Sequence, residues 1–199
     1  ARVVVIASST GGPRALAEVL PRLPAAVAAS FLVVQHMPPG FTSSLAQRLD
    51  GACELEVREA SPGDVLRPGL VLLAPGGSHM LVDRKGKVTL SDGPRECGLR
   101  PAANVTMESA ARSFGGSVVG VVLTGMGSDG QRGCELIKRA GGQVIAEHES
   151  SCVVYGMPRA VVEAGLADAV VPLEQVAEEI LSRCGVLRPA AAGAAGHGR

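Results

Sequence analysis

The sequence is poor in aromatic residues and carries no net charge. Only 2% of its 199 residues are aromatic, with no Trp and one Tyr, and Lys plus Arg equals Asp plus Glu at 19 each. Without net positive charge there is no field to attract nucleic acid or an anionic membrane, and base stacking needs aromatic rings. We therefore expect no nucleic-acid partner. The 46% of hydrophobic residues must fill the core mainly with Val, Leu, Ile and Ala.

Paired cysteines are also missing. The chain has five scattered cysteines: Cys53, Cys97, Cys134, Cys152 and Cys184. Their odd number and the lack of a C-x-x-C motif argue against a disulfide framework and against a zinc site. We interpret them as reduced, mostly buried thiols and expect no metal site.

No apolar run in the chain is long enough to cross a membrane. The longest, residues 24–34, is far shorter than the roughly 20 residues that a helical span needs. No secretory signal opens the sequence either. We therefore expect a cytoplasmic protein with no direct membrane insertion. Because the sequence begins with Ala1 and not with Met, it leaves room for an upstream domain.

Strands and helices alternate along the chain. Val3 to Ile6 form a continuous β-branched run, which is typical of a strand buried in a parallel sheet, and Pro13 stands where the first turn of a following helix accepts proline. The same order recurs, and residues 118–123 form the clearest further strand. This alternation predicts an α/β fold with three α/β/α layers, in which helices cover both faces of a doubly wound, mostly parallel sheet.

Apolar periodicity also predicts the other elements of this fold. Further strands are expected at 30–34, 54–58, 70–73, 79–82, 87–90, 143–146 and 169–171, the fourth and fifth of these forming a small antiparallel hairpin around Lys85 and Gly86. Helices are expected around 13–23, 45–49, 105–114, 130–140, 158–164 and 173–184.

Polar side chains follow three of the predicted strands. Ser9 and Thr10 follow the first strand, His36 follows the second, and Asp129 comes shortly after the strand that ends at Leu123. The carboxyl ends of parallel strands meet at one edge of a sheet, so a hydroxyl, an imidazole and a carboxylate can converge there. In that arrangement His36 would deprotonate Ser9 and Asp129 would fix the imidazole tautomer, which is the chemistry of a nucleophilic hydrolase.

Each of these residues also has an ordinary structural explanation. A Ser after a strand often caps a helix, a His before Met-Pro-Pro is often a loop residue, and Asp129 can cap the helix that follows it. The glycine-rich turn at Gly11 and Gly12 could instead hold a phosphate, but neither a P-loop nor a G-x-G-x-x-G motif is present. The G-x-S-x-G elbow of the α/β-hydrolases is absent as well, so a triad here needs another scaffold.

Three further residues are given structural roles. We interpret His79 as a strand-end residue. Arg100 could line a substrate groove or be a solvated loop charge, and we slightly prefer the solvated charge. Cys152 is interpreted as a buried thiol near the site, because no base is evidently paired with it.

Six stretches of the chain form a recognisable set: IASSTGGP, VVQHMPPGFT, LAPGGSHM, RPAANVTMESAA, VVLTGMGSDGQRG and SCVVYGMPRAV. In order and spacing, over about residues 3 to 183, they resemble the catalytic domain of the chemotaxis-receptor methylesterases of the CheB type. The resemblance implies hydrolysis of γ-glutamyl methyl esters on the cytoplasmic helical bundle of bacterial chemoreceptors, giving glutamate and methanol. Many relatives also deamidate receptor glutamines. The family needs no metal and no organic cofactor.

By position, the resemblance makes Ser9 the nucleophile, His36 the general base and then the general acid, and Asp129 the orienting carboxylate. It also points to the Met126 backbone N–H as an oxyanion donor, and Thr10 beside the nucleophile is a further contributor.

The chain departs from the family pattern in two ways. The family usually has Ala or Gly where this chain has Ser8, and register makes Ser9 the nucleophile. Members commonly begin with a receiver domain whose phosphorylation relieves inhibition of the esterase, and this sequence contains none, so a receiver domain would be a partner outside it. The alternative function is a non-catalytic receptor-binding module of the same fold.

The resemblance assigns residues 1–187 to one methylesterase catalytic domain. The remaining residues, 188–199, are rich in Ala and Gly, and we expect this tail to be disordered.

Overall fold

The computed structural model describes residues 1–187, which form nine strands and six α-helices. The strands are β1 (Arg2–Ser8), β2 (Ala29–Gln35), β3 (Glu56–Glu59), β4 (Leu70–Leu73), β5 (His79–Val82), β6 (Val88–Ser91), β7 (Val118–Val122), β8 (Gln143–Glu147) and β9 (Ala169–Val171). The helices are α1 (Gly12–Val19), α2 (Phe41–Asp50), α3 (Ala103–Phe114), α4 (Gln131–Arg139), α5 (Met157–Glu163) and α6 (Leu173–Cys184). The tail predicted to be disordered lies outside the described residues.

Seven strands form one sheet in the order β3-β4-β2-β1-β7-β8-β9. Every pairing in this sheet is parallel, and β5 and β6 form a separate antiparallel pair. The observed layout confirms the predicted α/β fold, including the small hairpin. The chain runs from β1 to β2 on one side and returns later to β7 on the other, so the carboxyl end of β1 lies where the strand order reverses.

Two aliphatic cores cover the two faces of the sheet. Along β1, Val4 and Ile6 point into one core, while Val3, Val5 and Ala7 point into the other. Helices α1, α2 and α6 contribute to the first core, and α3, α4 and α5 contribute to the second. Because both faces are covered, the central strands are apolar without alternation, which is what made them recognisable in the sequence.

Helix α1 is shorter than its apolar stripe predicts. The α-helical turns end at Val19, and Leu20–Arg22 form a 3-10 turn instead. Pro21 has no backbone N–H and its ring clashes with the preceding turn, so a regular helix cannot continue through it.

The prediction that the cysteines are mostly buried is wrong. All five are free thiols, but only Cys134 is buried; Cys97 is exposed and the other three are partly exposed. Cys53 follows the end of α2 and Cys184 is the last residue of α6, positions at which solvent reaches the chain. Separately, none of the helices in residues 1–187 combines the length and the hydrophobicity that a membrane span requires.

Candidate active site

The predicted site residues lie at the carboxyl edge of the sheet, where β1 runs between β2 and β7. Ser8 pairs with Gln35 at the end of β1 and β2, so Ser9 and His36 are the next residues on neighbouring strands. Neighbouring strands are separated by about 4.8 Å. On the other side, the Ser9 N–H donates to the Thr124 carbonyl at 3.0 Å. The backbones that carry the predicted nucleophile and base are therefore held side by side.

His36 and Asp129 are in direct contact. The His36 Nε2 atom lies 2.7 Å from Asp129 Oδ2, and the two side chains are only 10% and 3% exposed. Burial raises the pKa of the Asp129 carboxyl, but the hydrogen bonds from His36 and from two backbone N–H groups outweigh it and hold this pKa below its ordinary value of 3.8. The ionised carboxylate can only accept, so Nε2 carries a proton and donates it. The other ring nitrogen, Nδ1, is then the one available as a base.

The alternative in which Asp129 caps the following helix does not hold. Its carboxylate accepts instead from the first turn of α3, from Ala103 N–H at 2.7 Å and Asn104 N–H at 2.9 Å. Gly130 separates Asp129 from α4 with a left-handed φ of 98°, which turns the carboxylate away from its own helix. The N-terminus of α3 favours a negative charge, so Asp129 is held in place and kept ionised by another helix.

Helix α4 is capped in return by Asn104. Its Oδ1 accepts from Gly130 N–H at 2.9 Å and from Gly133 N–H at 2.8 Å, and its Nδ2 donates to Glu96 at 3.1 Å. Asp129, which precedes α4, thus caps α3, and Asn104, in the first turn of α3, caps α4. These reciprocal contacts fix the position of Asp129 relative to both helices.

Ser9 is placed beside this pair but is not hydrogen-bonded to it. Among residues 1–187, no hydrogen bond joins Ser9 to His36, so the described bonds connect two of the three predicted triad residues. Catalytic hydrogen bonds of this kind are often long without substrate and tighten only in the substrate complex. A Cβ on Gly125 would lie 2.7 Å from the Ser9 Cβ, so only glycine allows the neighbouring loop to approach the serine this closely.

The backbone N–H groups of Thr10 and Met126, near Ser9, are among those without an acceptor within the described part of the chain. Each belongs to a peptide whose carbonyl is held by two donors. Ser9 C=O accepts from Gly12 N–H at 2.8 Å and Gln35 Nε2 at 2.9 Å, and Gly125 C=O accepts from two N–H groups of the 156–157 turn at 3.1 and 2.8 Å. Because the C=O and N–H of a trans peptide point in opposite directions, anchoring the carbonyls directs both N–H groups away from these contacts.

A groove of about 390 Å³ begins at His36. Its other walls come from the Met37-Pro38-Pro39 loop and from the 95–101 segment, with Arg95 and Arg100 among the lining residues. Phe41 and Met126, which flank this side of the sheet edge, are 60% and 68% exposed. His36 therefore borders an open groove, and exposed apolar side chains lie on the segments that follow β2 and β7.

The preferred interpretation of Arg100 as a solvated loop charge is wrong. Its guanidinium donates to the carbonyls of Gly77 at 2.6 Å, Asp92 at 2.9 Å and Gly93 at 3.1 Å. Arg100 therefore lines the groove and also links neighbouring segments by hydrogen bonds. Its planar guanidinium has several N–H donors, so it can contact several carbonyls at once.

His79 is at the start of β5, as predicted, whereas Cys152 is partly exposed and is not the buried thiol that was predicted. The buried His79 ring contacts the Pro94 carbonyl through Nε2 at 2.9 Å and accepts from the Ala102 N–H through Nδ1 at 3.3 Å. Burial, together with the nearby Glu147 and Glu149 carboxylates, raises the pKa of the Cys152 thiol to about 12. The thiol therefore stays protonated and is a poor nucleophile.

Three polar residues of the site escaped the sequence analysis: Gln35, Asn104 and Glu147. Glu147 is fully buried, with Oε2 accepting the Thr124 N–H at 2.7 Å and Oε1 accepting the Ser151 hydroxyl at 3.0 Å. For Gln35 and Glu147 the sequence did offer a signal, because each is a polar residue at the end of an apolar strand, β2 and β8 respectively. Within residues 1–187, no group of three or more His, Cys, Asp or Glu side chains is arranged to hold a metal ion.

Comparison with known proteins gives a family match over most of the chain. The family described as CheB methylesterase matches residues 4–180. A protein-glutamate methylesterase/protein-glutamine glutaminase from Symbiobacterium thermophilum is 55% identical over 184 residues, which cover 92% of this chain and 51% of that protein. A similarly named protein from Pseudomonas aeruginosa is 50% identical over 183 residues, covering 92% of this chain and 50% of that one. The chain thus spans about half the length of the curated relatives it matches.

A solved structure agrees with these sequence matches. The crystal structure of the Thermotoga maritima CheB methylesterase catalytic domain superposes with a TM-score of 0.88 at 46% identity, covering 91% of this chain and 97% of that one. Sequence and fold lead to the same assignment: the chain belongs to the CheB methylesterase family.

Proposed function

We propose that this chain hydrolyses γ-glutamyl methyl esters on the cytoplasmic domain of bacterial chemoreceptors, giving glutamate and methanol. The observation that carries the proposal is the buried 2.7 Å hydrogen bond between His36 and Asp129 directly beside Ser9. The relatives named protein-glutamate methylesterase support the choice of substrate. The reaction would take place in the cytoplasm, where that receptor domain lies.

In the proposed mechanism Ser9 Oγ attacks the ester carbonyl carbon while His36 Nδ1 takes the hydroxyl proton. Asp129 holds the ring by accepting from Nε2 and stabilises the imidazolium formed in this step. The tetrahedral intermediate collapses when the imidazolium returns its proton to the methoxide oxygen, and methanol leaves. Water then attacks the glutamyl-Ser9 ester with His36 as base again, which releases glutamate and restores the serine.

The negative charge of the tetrahedral intermediate would be stabilised by the N–H groups of Met126 and Thr10. Both are without an acceptor among the described residues, and each lies on a peptide whose carbonyl is anchored from behind. Such preorganised donors stabilise developing charge strongly because they need not reorient during the reaction.

Glutamine deamidation is a second candidate activity of the same site. The relatives carry the name protein-glutamine glutaminase as well. The same attack on a γ-carboxamide would give glutamate, with the His36 imidazolium protonating the leaving ammonia. Ammonia release from receptor carrying glutamine at the modification sites is the direct assay.

The experiment that tests the proposal measures methanol release from a methylated receptor cytoplasmic fragment by the purified chain. Ser9→Ala should abolish release, because no other hydroxyl occupies the nucleophile position. Ser43→Ala is the matched control: its exposed hydroxyl on α2 contacts only the Gly40 carbonyl, and the variant should keep the wild-type rate.

The alternative, a non-catalytic receptor-binding module, predicts a different result. Receptor binding without any methanol or ammonia release by the wild-type chain would favour the module. A receiver domain, which the family resemblance implies as a partner outside this chain, would be added in a second arm to test whether it changes the rate.

A further inference from the structure

Gln35 is a buried polar side chain that contacts the backbone of both Ser9 and His36. It closes strand β2 and is only 3% exposed. Its Nε2 atom donates to the Ser9 carbonyl at 2.9 Å and to the His36 carbonyl at 3.2 Å. A carboxamide nitrogen has two N–H groups, so both are used on the two residues proposed as nucleophile and base.

The hydroxyl of Ser8 fixes which way this carboxamide faces. It donates to Gln35 Oε1 at 2.5 Å, and both side chains are buried. If the carboxamide turned over, Oε1 would face the carbonyl oxygens of Ser9 and His36, and the Ser8 hydroxyl would lose its acceptor. Such an arrangement would leave several buried polar groups unpaired at a cost of about 1 to 3 kcal/mol each.

The first turn of α1 leaves space for the carboxamide. A Cβ on Gly12 would lie 1.8 Å from Gln35 Oε1 and 2.8 Å from the Ser8 Cβ. Any other residue at this position would therefore displace Gln35. The carboxamide therefore lies in a space formed by the ends of β1 and β2 and the start of α1, which meet at this edge of the sheet.

The contacts of Gln35 determine the direction of the peptide that follows Ser9. The Ser9 carbonyl accepts from Gln35 and from Gly12 N–H, and the Thr10 N–H of the same planar peptide points the opposite way. The second donation holds the His36 carbonyl, which restrains the backbone from which the imidazole extends. One buried side chain thus restrains an oxyanion donor and the base.

We propose that Gln35 is a positioning residue for the esterase reaction, which sets the direction of the Thr10 N–H and the placement of His36, and that Ser8 orients its carboxamide. The inference rests on the proposed function. Gln35 is buried under the nucleophile and does not touch substrate, so its loss should slow the chemical step without weakening substrate binding.

The test compares wild type with Gln35→Leu, Gln35→Glu and Ser8→Ala. For each, kcat and KM for receptor methyl ester and for p-nitrophenyl acetate are measured, together with inhibition by an alkylboronic acid, which forms a tetrahedral adduct with a nucleophilic serine.

Both Gln35 variants should lose about 10- to 100-fold in kcat, less than the 10²- to 10³-fold typical of deleting an oxyanion donor outright. Boronate affinity should fall by a similar factor and KM should stay within about twofold. Ser8→Ala should lose less than about tenfold, because both donations remain possible.

A merely structural role predicts another pattern. The control Ser109→Ala removes a buried hydroxyl on α3 that accepts from the Val82 N–H of β5 at 3.1 Å. It should lower the free energy of unfolding while kcat and boronate affinity stay at the wild-type values. Gln35 variants that behave like this control overturn the inference.

If Gln35→Leu does not fold, the test is made with Gln35→Glu, which keeps the size of the side chain. Wild-type protein that hydrolyses p-nitrophenyl acetate but not receptor ester would reject the proposed substrate while leaving the positioning test valid.

Discussion

At the scale of single residues, Asp129 has the most constrained environment in the candidate site. Three donors converge on its carboxylate, one from the His36 ring and two from the start of α3. An asparagine there can accept through one oxygen only, and its NH₂ group would face the donors. The residue therefore tests whether the acid acts by orienting the imidazole.

Asp129→Asn should lower kcat by about 10⁴-fold with little change in KM, because the carboxamide stabilises the wrong imidazole tautomer. Steady-state methanol release measures this effect. Asp92→Asn, an exposed change that affects only a contact with Ser78 at 3.2 Å, is the control. Wild-type turnover in Asp129→Asn would remove the aspartate from the mechanism.

Two buried carboxyls should affect stability in opposite directions as the pH changes. The pKa of Asp129 is below its ordinary value of 3.8, so its contribution is present above about pH 3.8 and is lost as the pH falls through the lower folded-state pKa. Burial raises the pKa of Glu147 above its ordinary value of 4.5, so folding is most favoured with this carboxyl protonated and weakens as the pH rises past 4.5.

Urea unfolding of wild type, Asp129→Asn and Glu147→Gln across pH 3 to 8 measures both effects. The advantage of wild type over Asp129→Asn should shrink toward pH 3. Relative to wild type, Glu147→Gln should gain stability as the pH rises above about 4.5, since glutamine can still accept the Thr124 N–H without carrying a charge. Parallel curves for the three proteins would contradict both assignments.

The residue types of the site were accessible from sequence, whereas its supporting contacts were not. Ser9, His36 and Asp129 follow apolar strands, and that placement predicted the contact between His36 and Asp129. The roles of all three, and of Thr10 and Met126, remain predictions. Gln35 and Asn104 hydrogen-bond to backbone groups of Ser9 and of Gly130 and Gly133, which are more than 20 positions away, and no sequence pattern encodes such partners.

At the scale of elements, buried strands were predicted within two residues of their bounds because continuous β-branched runs have few other uses. Helix ends were less predictable. Pro21 converts the end of α1 into a 3-10 turn, and Asp129 caps α3 where sequence proximity suggested α4. Local propensity cannot anticipate a cap that comes from another part of the chain.

Asn104→Ala should test the reciprocal capping of α3 and α4. It removes the acceptor of two N–H groups at the start of α4, and we expect a loss of about 1 to 3 kcal/mol in the free energy of unfolding. Denaturant titration gives the value. Arg112→Ala, an exposed change on the same helix that removes only an ion pair with Glu108, should cost less than about 1 kcal/mol; equal losses in the two variants would argue against the cap.

At the scale of the whole molecule, the site lies where the strand order reverses beside β1. The chain leaves β1 toward α1 in the first core and leaves β7 toward α4 in the second. These two connections diverge to opposite faces of the sheet, which opens a crevice at the carboxyl edge of a parallel sheet. This explains why residues nearly a hundred positions apart meet, and why the fold class indicated the edge but not the contacts within it.

The residues named above for the candidate site and for both cores are all among the described residues 1–187, and we predict that residues 188–199 add nothing to either. A chain ending at Leu187 should therefore show the same urea midpoint as the full chain and the same rate of methanol release. Parallel unfolding curves and rate measurements check this. A lower midpoint or rate in the shortened chain would show that the domain extends beyond residue 187.

The central claim is that Ser9 forms a covalent glutamyl ester during turnover. Rapid acid quenching of the chain with methylated receptor peptide, followed by peptide mass mapping, measures it directly. We predict one acyl adduct, located on Ser9, which accumulates and decays with methanol release and is absent in Ser9→Ala. An adduct on Ser8 instead, or methanol release by Ser9→Ala at the wild-type rate, would contradict the account.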